Sequence, residues 1–142
     1  MAISVLLVDD EEDFVATLAK RLTLRRFDIF TATRADQAFA ALNENPIDVV
    51  LLDVRMPDLD GIAATKTIKG SHPLVEVILL TGHASIEASL EGMEMGAFDY
   101  LLKPVNIDEL VYKIEDAHHK KELQEGKIRR LAEQTDEDGS VE

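Results

Sequence analysis

Three carboxylates, a lysine and a threonine stand at the ends of apolar runs in this chain. Asp9 and Asp10 follow "ISVLLV", Asp53 follows "VVLL", Thr81 and Gly82 follow "VEVILL", and Lys103-Pro104 follow "FDYLL". Oxygen-only donors suit a hard cation. Magnesium fits, because it accepts a few carboxylates, keeps waters and completes its shell with phosphate oxygens. Lys103 would supply a fixed positive charge and Thr81 a hydroxyl. An aspartate such as Asp53 can act as a nucleophile and form an aspartyl phosphate. These are the parts for phosphoryl transfer, in which catalysis is mostly positioning and charge neutralisation. Asp53 is the candidate acceptor because it sits alone at a strand end. Asp9 and Asp10 would hold the metal, directly or through water.

Such chemistry requires the run ends to meet in space. The five runs, 3–8, 28–32, 49–52, 75–80 and 98–102, alternate with helical patterns. The first, third and fourth are nearly continuous in Val, Ile and Leu, as in strands of a parallel sheet covered on both faces. The second is short and mixed, like an edge strand. Phe14, Leu18 and Leu22, with Val15 and Ala19, give one apolar helical stripe. "RADQAFAALNEN", "GIAATKTIKGSHP" and "SIEASLEGMEMG" read as three further helices. A fifth starts at Asn106, with Glu109 placed as in a capping box. A βα unit repeated five times predicts a doubly wound α/β fold. Its five-stranded parallel sheet should have the flavodoxin-like order 2-1-3-4-5, with helices on both faces. Ligands in such sheets bind outside the carboxyl ends of the strands at the switch point, here between strands 1 and 3. The topology therefore brings Asp9, Asp10 and Asp53 to one spot, with Thr81 and Lys103 at the same end. At ~4 Å and an effective dielectric of ~20, each carboxylate pair repels by roughly 4 kcal/mol. Protonation, a cation or both must offset that.

Other polar residues have plainer readings. Glu11, Glu12 and Asp13 feed the first turn of helix 1. Asp58 and Asp60 read as turn residues before Gly61, His72, His118 and His119 as solvated, and Met93 and Met95 as packing. Tyr100, by itself, reads as an amphipathic strand residue. With 142 residues the chain fits one domain with a proper core. A formal charge of -13 argues against binding nucleic-acid phosphates or an anionic membrane surface. There is no cysteine, which removes disulfides, thiolate zinc sites and iron–sulfur clusters and is compatible with the cytoplasm, where we place the chain. No apolar run approaches the roughly 20 residues needed to span a bilayer, and the acidic start does not read as a signal peptide.

The segments "VLLVDDEEDF", "VVLLDVRMPDLDG", "VILLTGHAS" and "GAFDYLLKPVNIDEL", spread over residues 3–118, match a known pattern. On them the chain resembles the receiver domain of bacterial two-component response regulators. "DVRMPDLDG" and "GAFDYLLKP" look most like the nitrogen-regulator type that drives sigma-54 activators. The resemblance implies that Asp53 takes a phosphoryl group from the phosphohistidine of a histidine kinase or phosphotransfer protein. It implies Mg²⁺ held by the side chains of Asp10 and Asp53, by Asp9 through a water and by the main-chain carbonyl of Arg55. Thr81 and Lys103 would contact the phosphoryl group, Gly82 would leave room for Thr81 to move, and Tyr100 would swing inward. The face of helix 4, strand 5 and helix 5 would then signal to a partner or output domain. Such a chain is a signalling phospho-acceptor rather than an enzyme, catalysing only its own phosphorylation and dephosphorylation.

Two rival activities compete, the second on the same fold. An Asp-nucleophile phosphatase wants a second Asp two residues after the first, where Arg55 stands. A flavin or nucleotide binder wants a Gly- or Ser/Thr-rich cradle after strand 1, where "DDEED" would repel phosphates. A purely structural adaptor would fail to accept phosphate. The receiver unit is expected over 1–119, and 120–142 as a helical extension and a disordered acidic tail, the tail from 135. Gly126 is a weak point in the extension. The stretch after Ala117 is too short for an output domain, so a stand-alone receiver or one excised from a longer protein is expected. A heptad-like series, Leu110, Ile114, Ala117, Lys121, Gln124, Ile128 and Leu131, leaves two apolar seam residues beyond the core. That predicts at most a weak, phosphorylation-dependent homodimer.

Overall fold

The computed structural model describes residues 2–82 and 85–138, with side chains to residue 134. Five parallel strands form the sheet: β1 (Ser4–Val8), β2 (Asp28–Ala32), β3 (Val49–Asp53), β4 (Glu76–Thr81) and β5 (Asp99–Leu102), in the order β2-β1-β3-β4-β5. The helices are α1 (Glu12–Leu24), α2 (Ala35–Glu44), α3 (Gly61–Ser71), α4 (Ile86–Glu94) and α5 (Ile107–Asp138). The predicted architecture and strand order are those observed, with β2 at an edge.

The continuous apolar runs are explained by burial on both faces. Val5, Leu7, Val49, Leu51, Ile78 and Leu80 point to one side, against Val15, Leu18 and Leu22 of α1 and Leu110, Ile114 and Ala117 of α5. Leu6, Val8, Val50, Leu52, Val77 and Leu79 point to the other, against Ala38 and Leu42 of α2 and Ala64 and Ile68 of α3. Ala88 and Met93 of α4 pack at the margin of this second layer. Successive strand residues alternate faces, so a strand covered twice must be apolar throughout.

Register then sets the site. Val8 lies beside Leu52, so the next residues, Asp9 and Asp53, emerge on adjacent strands. Thr81 lies beside Leu102, one residue before Lys103. A short antiparallel ribbon, Arg55–Met56 with Leu59–Asp60, folds the segment after Asp53 back on itself; sequence periodicity does not reveal so brief a pairing. At α5, Asn106 Oδ1 accepts the Glu109 backbone N–H at 3.0 Å, half of the expected capping box. The helix then runs for 32 residues, through Gly126 and through residues 135–138, where a tail was expected; residues 139–142 of that tail lie outside the described residues.

Candidate functional site

Asp9 is fully buried, and both of its carboxylate oxygens have partners. Oδ1 accepts the Glu11 backbone N–H at 3.0 Å, and Oδ2 accepts the Lys103 ammonium at 2.7 Å. Its own N–H donates to the Ala32 carbonyl, tying the end of β1 to the end of β2. Asp10 is exposed and Asp53 half-buried, and one oxygen from each of Asp9, Asp10 and Asp53 lies within 4.8 Å of the others. Lys103 Nζ stands 3.6 Å from Asp53 Oδ1 and 3.6 Å from Glu11 Oε1. It also lies 4.5 Å from the centroid of the Phe14 ring, a cation–π contact on its apolar side.

The electrostatics follow from this crowding. Burial, and then the neighbouring Asp9 charge, push the Asp53 carboxyl up from 3.8 to about 6; Lys103 and the Arg55 backbone N–H pull the other way, and Asp10 adds to the rise. For Lys103, burial favours the neutral amine, but the hydrogen bond to Asp9 and the charges of Asp53, Asp9 and Glu11 outweigh it and raise its pKa. Carboxylates outnumber the single ammonium in this pocket, so it carries an excess of negative charge that a divalent cation would offset. The donors are all hard oxygens, the set magnesium prefers over softer metals.

Thr81 is buried, and its hydroxyl donates to the Gly82 carbonyl at 3.1 Å. Its carbonyl accepts the Lys103 N–H at 2.8 Å, which links the ends of β4 and β5. A Cβ built at Gly82 meets nothing within 4 Å among the described residues, so a need for glycine there rests on a movement of Thr81. Tyr100 is half-buried and packs against the core layer of α2, α3 and α4.

Four contacts that support the site escaped the sequence reading. Gly61 appeared only as a turn, yet a Cβ there would stand 2.8 Å from Val54 Cα and 2.9 Å from Val54 O. Only glycine lets α3 approach the loop after Asp53 so closely. Asp60 caps α3, accepting the Ile62 N–H at 2.9 Å; an Asp just before a helical run is a legible cap. Asp58 Oδ2 accepts the Ala35 N–H at 3.0 Å, capping α2 from 23 residues away, for which no local signal exists. The Arg55 side chain donates through Nε to the hydroxyl of buried Ser85 at 2.5 Å, bridging the loop after Asp53 to the start of α4. Beside this bridge a groove of about 600 Å³ opens next to Asp10, lined by Val54, Met56, Leu59 and Ala88.

Comparison with known proteins gives a consistent picture. Residues 5–115 match the response regulator receiver domain family. The chain is 37% identical over 134 residues to the DNA-binding transcriptional regulator NtrC of Salmonella typhimurium, covering 93% of this chain and 29% of that protein. It is 38% identical over 117 residues to a putative response regulator, NtrX-like, of Rickettsia bellii, covering 81% of this chain and 24% of that one. Among solved structures, a response regulator receiver domain protein from Clostridium thermocellum superposes with a TM-score of 0.82 at 33% identity, covering 86% of this chain and 98% of the other. NtrX from Brucella abortus in complex with ADP gives 0.83 at 34% identity, covering 89% and 29%. The chain thus spans less than a third of the length of the curated relatives it matches.

Proposed function

Because the chain belongs to the response regulator receiver domain family, with relatives of the nitrogen-regulator type, we propose that Asp53 accepts a phosphoryl group from the phosphohistidine of a histidine kinase or phosphotransfer protein. The observation that carries this reading is the convergence of Asp9, Asp10 and Asp53 within 4.8 Å, with Lys103 among them. The side chains of Asp10 and Asp53, the Arg55 carbonyl and, through water, Asp9 would hold Mg²⁺. When bound, the cation offsets the charge of the carboxylates and of the phosphoryl oxygens.

The protein's own groups account for the rest. Above a pH of about 6 the Asp53 carboxylate is ionised. One of its oxygens attacks phosphorus as the phosphorus–nitrogen bond to the donor imidazole breaks. The imidazole keeps the electron pair and regains a proton from solvent. Lys103 stands 3.6 Å from Asp53, where its ammonium can hold an equatorial phosphoryl oxygen while staying bonded to Asp9. Thr81 would leave the Gly82 carbonyl and donate to another phosphoryl oxygen. Tyr100 would follow it inward and change the α4–β5–α5 face presented to a partner or an output domain. The chain itself would not contact nucleic acid, given its charge of -13. No helix among the described residues is long and apolar enough to cross a membrane, and we place the protein's action in the cytoplasm.

Incubation with acetyl phosphate and Mg²⁺, with intact mass as the readout, tests the reading. The wild-type chain should gain one phosphoryl group, and Asp53→Asn none. Uptake by Asp53→Asn as efficient as by wild type would overturn the assignment.

A further inference from the structure

β3 and β4 carry Asp53 and Thr81 at one end, and each has a carboxylate at the other. Asp48 immediately precedes β3, and Glu76 opens β4. Glu76 is only 2% exposed, lying between Lys120 Nζ at 3.3 Å and Lys69 Nζ at 3.5 Å. Asp48 Oδ1 meets Lys121 Nζ at 3.0 Å, while its Oδ2 accepts the Ser4 N–H at 2.9 Å. Lys121 also reaches Glu125 at 3.0 Å, with its side chain 14% exposed. Lys120 lies 5.7 Å from the Phe98 ring centroid. Exposed ion pairs contribute little. These differ in that Glu76 is buried and shared between two ammoniums, Lys69 of α3 and the half-exposed Lys120 of α5, while Lys121 and Asp48 are both largely buried. Lys120 and Lys121 both belong to α5, beyond the expected domain boundary at 119/120. After Glu125 the character changes: residues 127–134 are all exposed, and Gly126, the poorest helix former in the segment, stands at the transition.

We propose that Asp48, Glu76, Lys120 and Lys121 form a clasp that makes α5 rigid with the sheet as far as Glu125, and that the helix first flexes at Gly126. The strands that end in the acceptor and in Thr81 therefore also set the direction of the outgoing helix. Movement of either strand passes to that arm, and anything attached beyond Gly126 is connected through a hinge. The clasp holds whether or not Asp53 takes a phosphoryl group.

The chain has no cysteine, so single spin labels can be placed in the 142-residue chain at Leu123→Cys and at Glu133→Cys. The label at 123 should show the slow motion of an anchored helix, and the label at 133 a several-fold shorter correlation time. Adding Lys120→Ala and Lys121→Ala should bring the 123 label to the mobility of the 133 label. Alanine is the best helix former, so that change cannot come from lost helicity. Arginine at both positions should keep the wild-type spectrum. Gly126→Ala should slow the 133 label and leave the 123 label unchanged; among the described residues its Cβ would meet the guanidinium ends of Arg130 and Arg129, at 3.3 Å and 3.8 Å. Equal mobility of the two labels in the wild-type background, or no response to the double alanine change, overturns the clasp. An unchanged 133 label in Gly126→Ala overturns the hinge.

Discussion

Lys103 and Asp9, 94 residues apart in sequence, meet at 2.7 Å, and Asp9 has no exposure to solvent. The ammonium is thus the fixed counter-charge of the acidic pocket. Replacing it with an apolar chain of similar length, Lys103→Met, leaves Asp9 buried beside Asp53 with no cation. The expected cost is roughly 3 kcal/mol, read as a lower urea midpoint. Adding Mg²⁺ should recover part of the loss, and Asp9→Asn in the same background should recover more. A midpoint indifferent to Mg²⁺ would count against a cation site among these carboxylates.

The Asp53 carboxyl, raised from 3.8 to about 6, makes stability depend on pH. A raised folded-state value means that the folded protein holds the proton more tightly than the unfolded chain. Its stabilising contribution is complete below pH 3.8 and is lost as pH rises through about 6. Asn does not titrate, so Asp53→Asn escapes this loss. In metal-free buffer its advantage over wild type should grow from near nothing at pH ~4 to roughly 2–3 kcal/mol at pH ~7.5. Mg²⁺ should shrink that gap by stabilising the ionised wild-type carboxylate. Urea unfolding across this range, with EDTA and with Mg²⁺, measures it; a gap that does not vary with pH would refute the pocket's electrostatics.

Two glycines of α3 should respond in opposite ways to alanine. At Gly61 a Cβ would stand 2.8 Å from Val54 Cα, so the loop after Asp53 must move, at a cost of roughly 2 kcal/mol. Uptake of phosphate from acetyl phosphate should slow as well. At Gly70 a Cβ meets nothing within 4 Å, and Gly70→Ala should stabilise by about 0.5–1 kcal/mol without changing uptake. Thermal melts and phosphorylation rates for both variants decide the matter.

Thr81 should couple the acceptor to the α4–β5–α5 face. A bond from Thr81 to a phosphoryl oxygen, worth about 1.5–3 kcal/mol, would shift a two-state equilibrium by roughly ten- to a hundredfold. Backbone amide shifts in that face on adding beryllofluoride should be large in wild type and much smaller in Thr81→Ala. Equal shifts would remove Thr81 from the pathway.

The exposed seam residues Ile128 and Leu131 lie on the α5 stripe that begins at Leu110 and Ile114. The 142-residue chain is expected to sediment as a monomer alone and as a weak dimer with beryllofluoride. Truncation after Glu125, which keeps the clasp, should weaken the dimer and leave phosphate uptake intact. A tight dimer in every state would contradict this.

The fold and the acidic site were legible because both follow from local patterns. Strands covered on two faces must be continuously apolar, so the first polar residue marks a carboxyl end. A repeated βα order then places those ends on one edge of the sheet. Asp9, Asp10, Asp53, Thr81 and Lys103 are found by that logic alone. Other features depended on which segments the packed layers bring together. Nothing local says that Lys103 bonds to Asp9 at 2.7 Å and stands farther off, at 3.6 Å, from Asp53. Nor does anything local say that Asp58 caps α2, or that Arg55 reaches Ser85. The C-terminal helix shows the limit most plainly. Charge and Gly126 argued for a weak extension and a tail from 135, yet α5 continues to Asp138. Nor does propensity, which counts a helix residue by residue, say that Lys120 and Lys121 are held by carboxylates at the foot of β3 and β4, more than 40 residues away. Sequence therefore determined which residues sit at strand ends, and tertiary structure decided their partners, because a side chain's partner is set by the register and layering of distant segments.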